Sequence, residues 1–243
     1  MKMRFLILSI LLLMNFACKK ESISDEPTNI IGEHFTYRLY DGLSENIILE
    51  IQTKLDDNYS RVLNDLGLSS MSNVIVRIWD DESNFLDDME SELGVRYTGS
   101  AGWVRGANDI RLLYRGNGTA QNALHEFCHC VSMIVNPQIP NNPRWLWEAI
   151  AIYESGEFVN PQSMSSLVNG NFPTLEELNS DFNNGNHSIY QVGYLLAEFI
   201  IENWGRDRFV ALIRSNGNLE QTLEVTVIEF EEGWKNFVTT KYL

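Results

Sequence analysis

Cysteine and basic residues are scarce in this sequence, and their scarcity excludes some classes of fold and of binding partner. The 243 residues include three cysteines, and two of them, Cys128 and Cys130, stand two positions apart, where a helix points their side chains in different directions. We therefore expect no disulfide scaffold, and both cysteines as small buried side chains. Lys and Arg number 18 against 33 Asp and Glu, and the net charge of −15 argues against nucleic-acid partners and against attraction to anionic lipid.

Long apolar runs are equally scarce, and the one that occurs lies at the start of the chain. In "MKMRFLILSILLLMNFAC", a basic start at Lys2 and Arg4 precedes about a dozen apolar residues, too few for a comfortable membrane span but typical of a secretory signal. The small residue and Cys18 that follow resemble the processing site of bacterial lipoproteins, in which this cysteine carries the lipid. The pattern predicts an exported protein anchored through Cys18 to a membrane of the bacterial cell envelope. The alternative is a plain signal peptide with an incidental cysteine, and hence a secreted protein.

Beyond the leader the chain shows no internal repeat and no convincing domain boundary, so we expect one folded domain. Residues 1–17 form the predicted signal peptide, residues 18–34 a polar, lipid-anchored tether, and residues 35–243 the domain. With 44% hydrophobic residues, a domain of this length can build a substantial core.

Hydrophobic periodicity predicts an α+β fold, in which a small mixed or antiparallel sheet is followed by a mostly helical half. The predicted elements are a helix over 44–67, a strand over 73–79, an acidic helix over 81–94, one or two hairpins over 95–118, and helices over 119–135, from 144 onward and over 190–205. Capping signals refine this pattern. They are Thr119 as the cap of one helix, Asn142 and Pro143 as the cap and first-turn proline of the next, and capping boxes at 174–178 and 226–229.

Two short motifs on neighbouring predicted helices indicate a metal site. In HEFCH (125–129) the two histidines, His125 and His129, lie one turn apart on one helix face, with Cβ atoms about 5–6 Å apart, so both imidazoles can bind one Zn²⁺. Glu126 stands beside the first histidine, where it can act as a base toward a metal-activated water. A catalytic zinc needs a third ligand, and Glu148 in "RWLWEAIAIYE" is the best candidate, because a buried carboxylate on an apolar helix needs a partner for its charge.

His125, Glu126, His129 and Glu148, with eighteen residues between the last two, resemble the site of the gluzincin zinc peptidases. The W-x-x-E-x-x-A arrangement over residues 145–151 is most similar to the peptidase MA-like branch of that superfamily. Two of the chain's four histidines fall inside the motif, which makes a chance match less plausible.

The resemblance covers roughly residues 70–205 and implies a zincin-like fold, a bound Zn²⁺ and hydrolysis of peptide or protein substrates. It also implies that Glu126 takes a proton from the activated water and passes it to the leaving nitrogen. In the family, a hydrogen-bond donor for the oxyanion often lies downstream of the third ligand, and Tyr190 resembles that position. Tyr190 is otherwise an ordinary aromatic at a helix start. His187 is the other candidate donor, although its Asn- and Gly-rich surroundings favour a solvated loop.

The sequence also departs from the family in two places. Aminopeptidases of this branch hold the substrate's amine with a Gly-x-Met-Glu-Asn stretch, whereas Met89 and Glu90 here are preceded by Asp88 and followed by Ser91. An endopeptidase therefore fits better than an aminopeptidase. Ile152 stands where the thermolysin-like branch has an Asp, four residues past the third ligand, so the sequence does not name the partners that orient the histidines.

Two other functions fit the same residues. One is a lipoprotein that keeps the peptidase fold as a silent surface binding module, although a structural metal site has no need of a base such as Glu126. The other is a peptidase-fold component of a surface nutrient-uptake or host-glycoprotein assembly, which exposed aromatics along the cleft would favour. We expect the tryptophans to lie in the core or in cleft walls, namely Trp103, Trp145, Trp147 and Trp204. Substrate specificity and oligomeric state are not assigned by the sequence.

Overall fold

The computed structural model describes residues 26–180 and 188–243, and they form an α+β fold, as predicted. The strands are β1 (Thr28–Ile31), β2 (Phe35–Leu39), β3 (Val74–Trp79), β4 (Gly102–Val104) and β5 (Asp109–Leu113). The helices are α1 (Ile48–Asp65), α2 (Glu82–Leu93), α3 (Thr119–Val135), α4 (Arg144–Ser155), α5 (Ser165–Val168), α6 (Leu175–Leu178), α7 (Ser188–Trp204), α8 (Arg206–Arg214), α9 (Leu219–Leu223) and α10 (Val227–Tyr242). The predicted signal peptide, Cys18 and His187 lie outside the described residues.

The five strands form one mixed sheet in the order β1-β2-β3-β5-β4. The central strand β3 runs parallel to β2 and β5, and the outer strands β1 and β4 run antiparallel to their neighbours. β5 is buried along its whole length, which is typical of a strand covered on both faces. The sheet therefore supports helices on both sides, and one of them is the helix that carries HEFCH.

Helices α1 and α3 share one apolar core with the sheet, and α2 packs in a second cluster on the other face. Phe35 of β2 contacts Phe127 of α3 edge to face, with ring centroids 5.3 Å apart. In the second cluster Phe85 of α2 lies against Trp79 of β3, with centroids 6.0 Å apart. Because α3 is fixed against the sheet by its apolar side, its opposite side is available for polar chemistry.

The helical half is organised around α4, which packs against both α3 and α7. A Cβ atom at Gly193 of α7 would lie 2.7 Å from Cδ1 of Ile152 and 3.3 Å from Cα of Ala149. The missing side chain at position 193 therefore lets α7 approach α4 closely. Tyr190 precedes Gly193 by three residues, about one helical turn, so this close approach also holds Tyr190 near α4.

Most of the predicted elements are confirmed. The strand predicted over 73–79 is β3, the hairpin region contains β4 paired with β5, and the helix predicted over 190–205 is α7, which ends before Gly205. Both capping boxes form, at Thr174 with Glu177 and at Thr226 with Glu229. Within the part of the chain that the structure describes, no helix has both the length and the apolar character needed to cross a membrane.

The first two strands were not predicted, and the tether prediction is wrong for its last part. Residues 28–31 form β1, which pairs with β2 along the register Thr28 to Leu39. The β2 sequence "FTYRL" alternates buried and half-buried side chains, a period-two signal that was present in the sequence. The structured part of the chain therefore begins before residue 35.

Both predicted caps at the start of α3 and α4 are also wrong. Thr119 is the first residue of α3, and its hydroxyl accepts a hydrogen bond from the backbone N–H of Arg115 instead of capping the helix. Pro143 is itself the residue that precedes α4, so it lies just outside the helix, and the Asn142 amide donates to the carbonyl of Gln138. In each case the side chain bonds within the preceding turn instead of capping its helix, and in α4 the distant Asn179 side chain accepts from the backbone N–H of Trp145.

Candidate metal centre

Three side chains from α3 and α4 converge at one point in the molecule. His125 and His129 lie one turn apart on α3, and their Nε2 atoms are 3.5 Å and 3.6 Å from the same oxygen, Oε2 of Glu148 on α4. All three residues are largely buried, and their potential ligand atoms lie within 4.8 Å of one another. The predicted ligand set is therefore brought together by the packing of two helices, and it could bind a metal ion.

The geometry fits a small tetrahedral ion. Two ligand atoms bound at about 2.0–2.1 Å in tetrahedral directions lie about 3.4 Å apart, close to the observed nitrogen–oxygen separations. Oε2 of Glu148 and Nδ1 of His129 are both buried without a hydrogen-bond partner in the described structure. The two Nε2 atoms lie too far from Oε2 for good hydrogen bonds, and a cation between the three residues would give this buried oxygen a close partner.

A turn at the end of α4 supplies the residue that orients His125. Gly156 has a positive φ of 79°, the N–H of Glu157 donates to the carbonyl of Ile152 at 2.9 Å, and the N–H of Gly156 donates to that of Tyr153 at 3.1 Å. This pattern is a Schellman turn, which reverses the chain after the helix. It brings Oε1 of Glu157 to 2.8 Å from Nδ1 of His125. A carboxylate that accepts from Nδ1–H leaves Nε2 free to bind a metal.

The charges of the two histidines differ because their neighbours differ. Burial lowers the pKa of His129, whose ring lies 4.0 Å from that of Trp147, so this imidazole is neutral. Burial acts in the same direction at His125, but the contacts with Glu148 and Glu157 outweigh it and raise the pKa of His125 well above its usual value. The carboxylate of Glu148 shows the reciprocal effect, because the two imidazoles overcome its burial and hold its pKa well below the usual range. In the absence of a metal, His125 therefore carries a proton that a metal would have to displace.

Glu126 lies in the same cavity and is only 8% exposed. Burial is the main cause that raises the pKa of its carboxyl to about 8. The strand β4 passes close to it, because a Cβ atom at Gly102 would be 2.7 Å from Oε1 of Glu126 and 3.0 Å from its Cγ. Only a residue without a side chain leaves the Glu126 carboxylate in this position.

The site opens into a cavity of about 580 Å³ between the sheet edge and the helices. Tyr190, the predicted oxyanion donor, lines this cavity, and its ring centroid is 6.5 Å from that of His125. Burial raises the pKa of Tyr190 well above its usual value, so its hydroxyl keeps its proton at neutral pH. The other lining residues are Met89, Leu93, Tyr97, Ser100, Gly102, Trp103, Val104, Glu126, His129, Pro140, Asn141, Arg144, Trp147, Glu148 and Asn179.

The two cysteines beside His129 belong to the core. Cys128 and Cys130 are both free and fully buried, as predicted, and burial raises the pKa of both thiols well above its usual value. Neutral thiols that point away from the histidines are poor metal ligands. The tryptophans also lie where expected, since Trp145 is in the core, Trp204 packs against it while partly buried, and both Trp103 and Trp147 line the cavity.

Sequence reasoning missed three residues of this site: Glu157, Gly102 and Arg144. The acidic residue directly after the predicted helix end at Gly156 was a signal for Glu157, because a Schellman turn directs the chain back along the helix. Gly102 and Arg144 gave no local signal, since their roles depend on contacts between distant segments. No protein-family model matches the chain, and no curated protein matches it either.

Proposed function

We propose that this protein is a zinc-dependent peptidase of the gluzincin type with a zincin-like fold. The observation that carries the proposal is the convergence of His125, His129 and Glu148 on one point, with the carboxylate of Glu126 buried in the same cavity. Two imidazoles and one carboxylate form a ligand set that suits zinc and leaves a position for a water or a substrate. When bound there, a zinc ion would polarise a substrate carbonyl and make a water molecule more acidic.

The residues around the site support acid–base chemistry. Glu126 is buried, and a carboxyl group whose pKa lies at about 8 can exchange protons near neutral pH. Nearby positive charge lowers a carboxyl pKa, so a bound cation would favour the charged, proton-accepting form. The Tyr190 hydroxyl remains protonated and lines the same cavity, which suits a hydrogen-bond donor to a developing oxyanion.

The sheet edge beside the site suits a peptide substrate. β4 is an outer strand of the sheet, and its residues 102–104 line the cavity that contains Glu126. An extended peptide can pair with the backbone of an outer strand, which would carry its carbonyl groups past the metal site. This arrangement favours an endopeptidase acting on peptide or protein substrates. Export and attachment to a cell-envelope membrane through Cys18 are part of the same proposal and rest on the sequence pattern.

The test is the zinc content and caseinolytic activity of residues 19–243, measured for the wild type and for E126Q. We expect one zinc per chain in both proteins and activity only in the wild type, because Gln keeps the shape of Glu126 but cannot accept the proton. Stoichiometric zinc without activity in either protein would favour the silent binding module. The absence of zinc after purification without chelators would contradict the proposal.

A further inference from the structure

Arg144 is a buried cation in the wall of the metal cavity. It is 6% exposed and is the first residue of α4, four positions before Glu148, so the two side chains lie on the same face of the helix one turn apart. The Glu148 carboxylate is turned toward the two histidines and does not pair with Arg144. The guanidinium therefore lies beside the metal site without sharing the charge of its carboxylate ligand.

The contacts of Arg144 hold it in place but do not balance its charge. Nη1 donates to the carbonyl of Ser180 at 2.8 Å, and Cζ lies 5.8 Å from the centroid of the Tyr190 ring. Nη2 is buried without a hydrogen-bond partner, and no carboxylate of the described residues forms an ion pair with Arg144. A guanidinium shielded from water and without a counter-charge is unfavourable, so within the described residues Arg144 lacks the partner that its charge and its Nη2 require.

Arg111 shows how this chain treats a buried guanidinium that is structural. It is 2% exposed and also lies near the cavity, where its Cζ is 4.5 Å from the Trp103 ring centroid. It forms ion pairs with three carboxylates, those of Asp88, Glu92 and Asp109. The contrast is one of charge: each guanidinium has one buried nitrogen without a hydrogen-bond partner, Nη2 of Arg144 and Nε of Arg111, but among the described residues only Arg144 of the two lacks a carboxylate partner.

We propose that Arg144 binds a carboxylate of the substrate next to the scissile bond, which deepens and rests on the peptidase function proposed above. The planar guanidinium matches a carboxylate with charge-assisted hydrogen bonds. Two groups of a peptide present this chemistry, an Asp or Glu side chain and the C-terminal carboxylate. Glu126 and Glu148 line the same cavity and repel multiply charged anions, so a single carboxylate is the partner that Arg144 fits best.

The test measures peptide binding by zinc-loaded E126Q, which does not consume the peptides. Three pools of N-acetylated hexapeptides with neutral randomised positions serve as probes. One pool contains Gln and a C-terminal amide, the second replaces Gln by Glu, and the third replaces the amide by a free carboxylate. Affinity selection with mass spectrometry gives the enrichment of each charged pool over the neutral pool. We expect about tenfold enrichment of one of the two charged pools, which also identifies the source of the carboxylate.

The variants are made in the E126Q background. R144Q should reduce the enrichment to about one, whereas R208Q should leave it unchanged. Arg208 of α8 serves as the control, because it also donates to one carbonyl, that of Thr222 at 3.0 Å, but is an exposed residue that does not line the cavity. Circular dichroism and zinc content verify folding. R144K, which keeps the charge but loses the planar fork, should retain partial enrichment and carries the test if R144Q does not fold.

Three results would overturn this inference: equal binding of all pools, no binding of any pool, or a preference that survives R144Q. The result is separable from the peptidase proposal. Zinc-dependent casein cleavage without a carboxylate preference would support the peptidase proposal and contradict the role proposed for Arg144. An Arg144-dependent preference in a protein that cleaves no substrate would support the carboxylate-binding site and contradict the peptidase proposal.

Discussion

Nδ1 of His125 lies 2.8 Å from Oε1 of Glu157, which follows the end of α4 and belongs to no motif recognised in the sequence. The same carboxylate oxygen accepts a hydrogen bond from the hydroxyl of Ser155. Contacts within the turn after α4 therefore fix the position of Glu157. Glu157 fixes the His125 ring so that its Nε2 atom faces Glu148. The orientation of His125 therefore depends on a residue that is not itself one of the three candidate ligands.

Removing the Glu157 carboxylate should weaken zinc binding. In E157A the His125 ring loses the acceptor that fixes its orientation, and we expect zinc affinity to fall by about 10- to 100-fold. Competition with a chromophoric chelator measures this loss, repeated at several pH values so that proton competition at His125 is separated from the loss of the acceptor. E176A, which removes an exposed glutamate of α6, is the control and should bind zinc like the wild type. Unchanged affinity in E157A would show that His125 is oriented by something else.

Adding one methyl group at Gly102 should separate metal binding from catalysis. The new Cβ in G102A would collide with the Glu126 carboxylate and displace it, since its three nearest atoms all belong to Glu126 and none to a candidate ligand. We expect full zinc occupancy and a loss of activity of about 100-fold or more, the usual contribution of a general base. In G118A the added Cβ meets no atom within 4 Å, so this control should remain active. Full activity in G102A would contradict the position assigned to Glu126.

Zinc binding should release a proton from the protein at neutral pH. The pKa of His125 is raised, so the metal-free imidazole is protonated there, and it must lose that proton to bind a metal. Zinc affinity should therefore increase as the pH rises through this pKa. Calorimetry of E126Q in two buffers of different ionisation enthalpy should show release of about one proton, without a contribution from Glu126. Heats that do not depend on the buffer would mean that His125 is neutral before zinc binds.

The close approach of α4 and α7 should make Gly193 critical for stability. Gly to Ala within a helix normally stabilises by about 1 kcal/mol, but here the new Cβ would overlap Ile152 and crowd Ala149. We expect G193A to lower the free energy of unfolding by about 1–3 kcal/mol, the usual cost of overpacking. Urea denaturation of the wild type, of G193A and of the double variant I152V/G193A measures this change in the free energy of unfolding. The double variant removes Cδ1 of Ile152 and should recover part of the loss, whereas a G193A protein as stable as the wild type would contradict the packing argument.

The sequence was sufficient to predict that His125, His129 and Glu148 converge, because the signals for these residues are local. Helical geometry alone places His125 and His129 on one face, and a glutamate inside an apolar helix signals that Glu148 needs a partner for its charge. The α+β class followed from hydrophobic periodicity in the same way. These predictions needed no knowledge of which segments meet in space.

The remaining parts of the site depend on contacts between distant segments, which periodicity does not report. Gly102 matters because β4 runs beside α3, and Arg144 because the structure leaves one of its donors unpaired in the cavity. β1 lies in the polar run that predicts a tether, although four residues are enough to complete the sheet, whereas β2 follows that run and carries a short period-two signal of its own. Pairing with β2 overrides the weak local preference of that segment.

The zinc K-edge absorption spectrum of the purified protein tests the proposed ligand set most directly. We expect two imidazole nitrogens and one carboxylate oxygen at about 2.0–2.2 Å and no sulfur, with the imidazole signal reduced in H129A. Sulfur scattering at about 2.3 Å would instead assign the metal to Cys128 or Cys130 and rule out this ligand set. A protein that binds no zinc would contradict it equally.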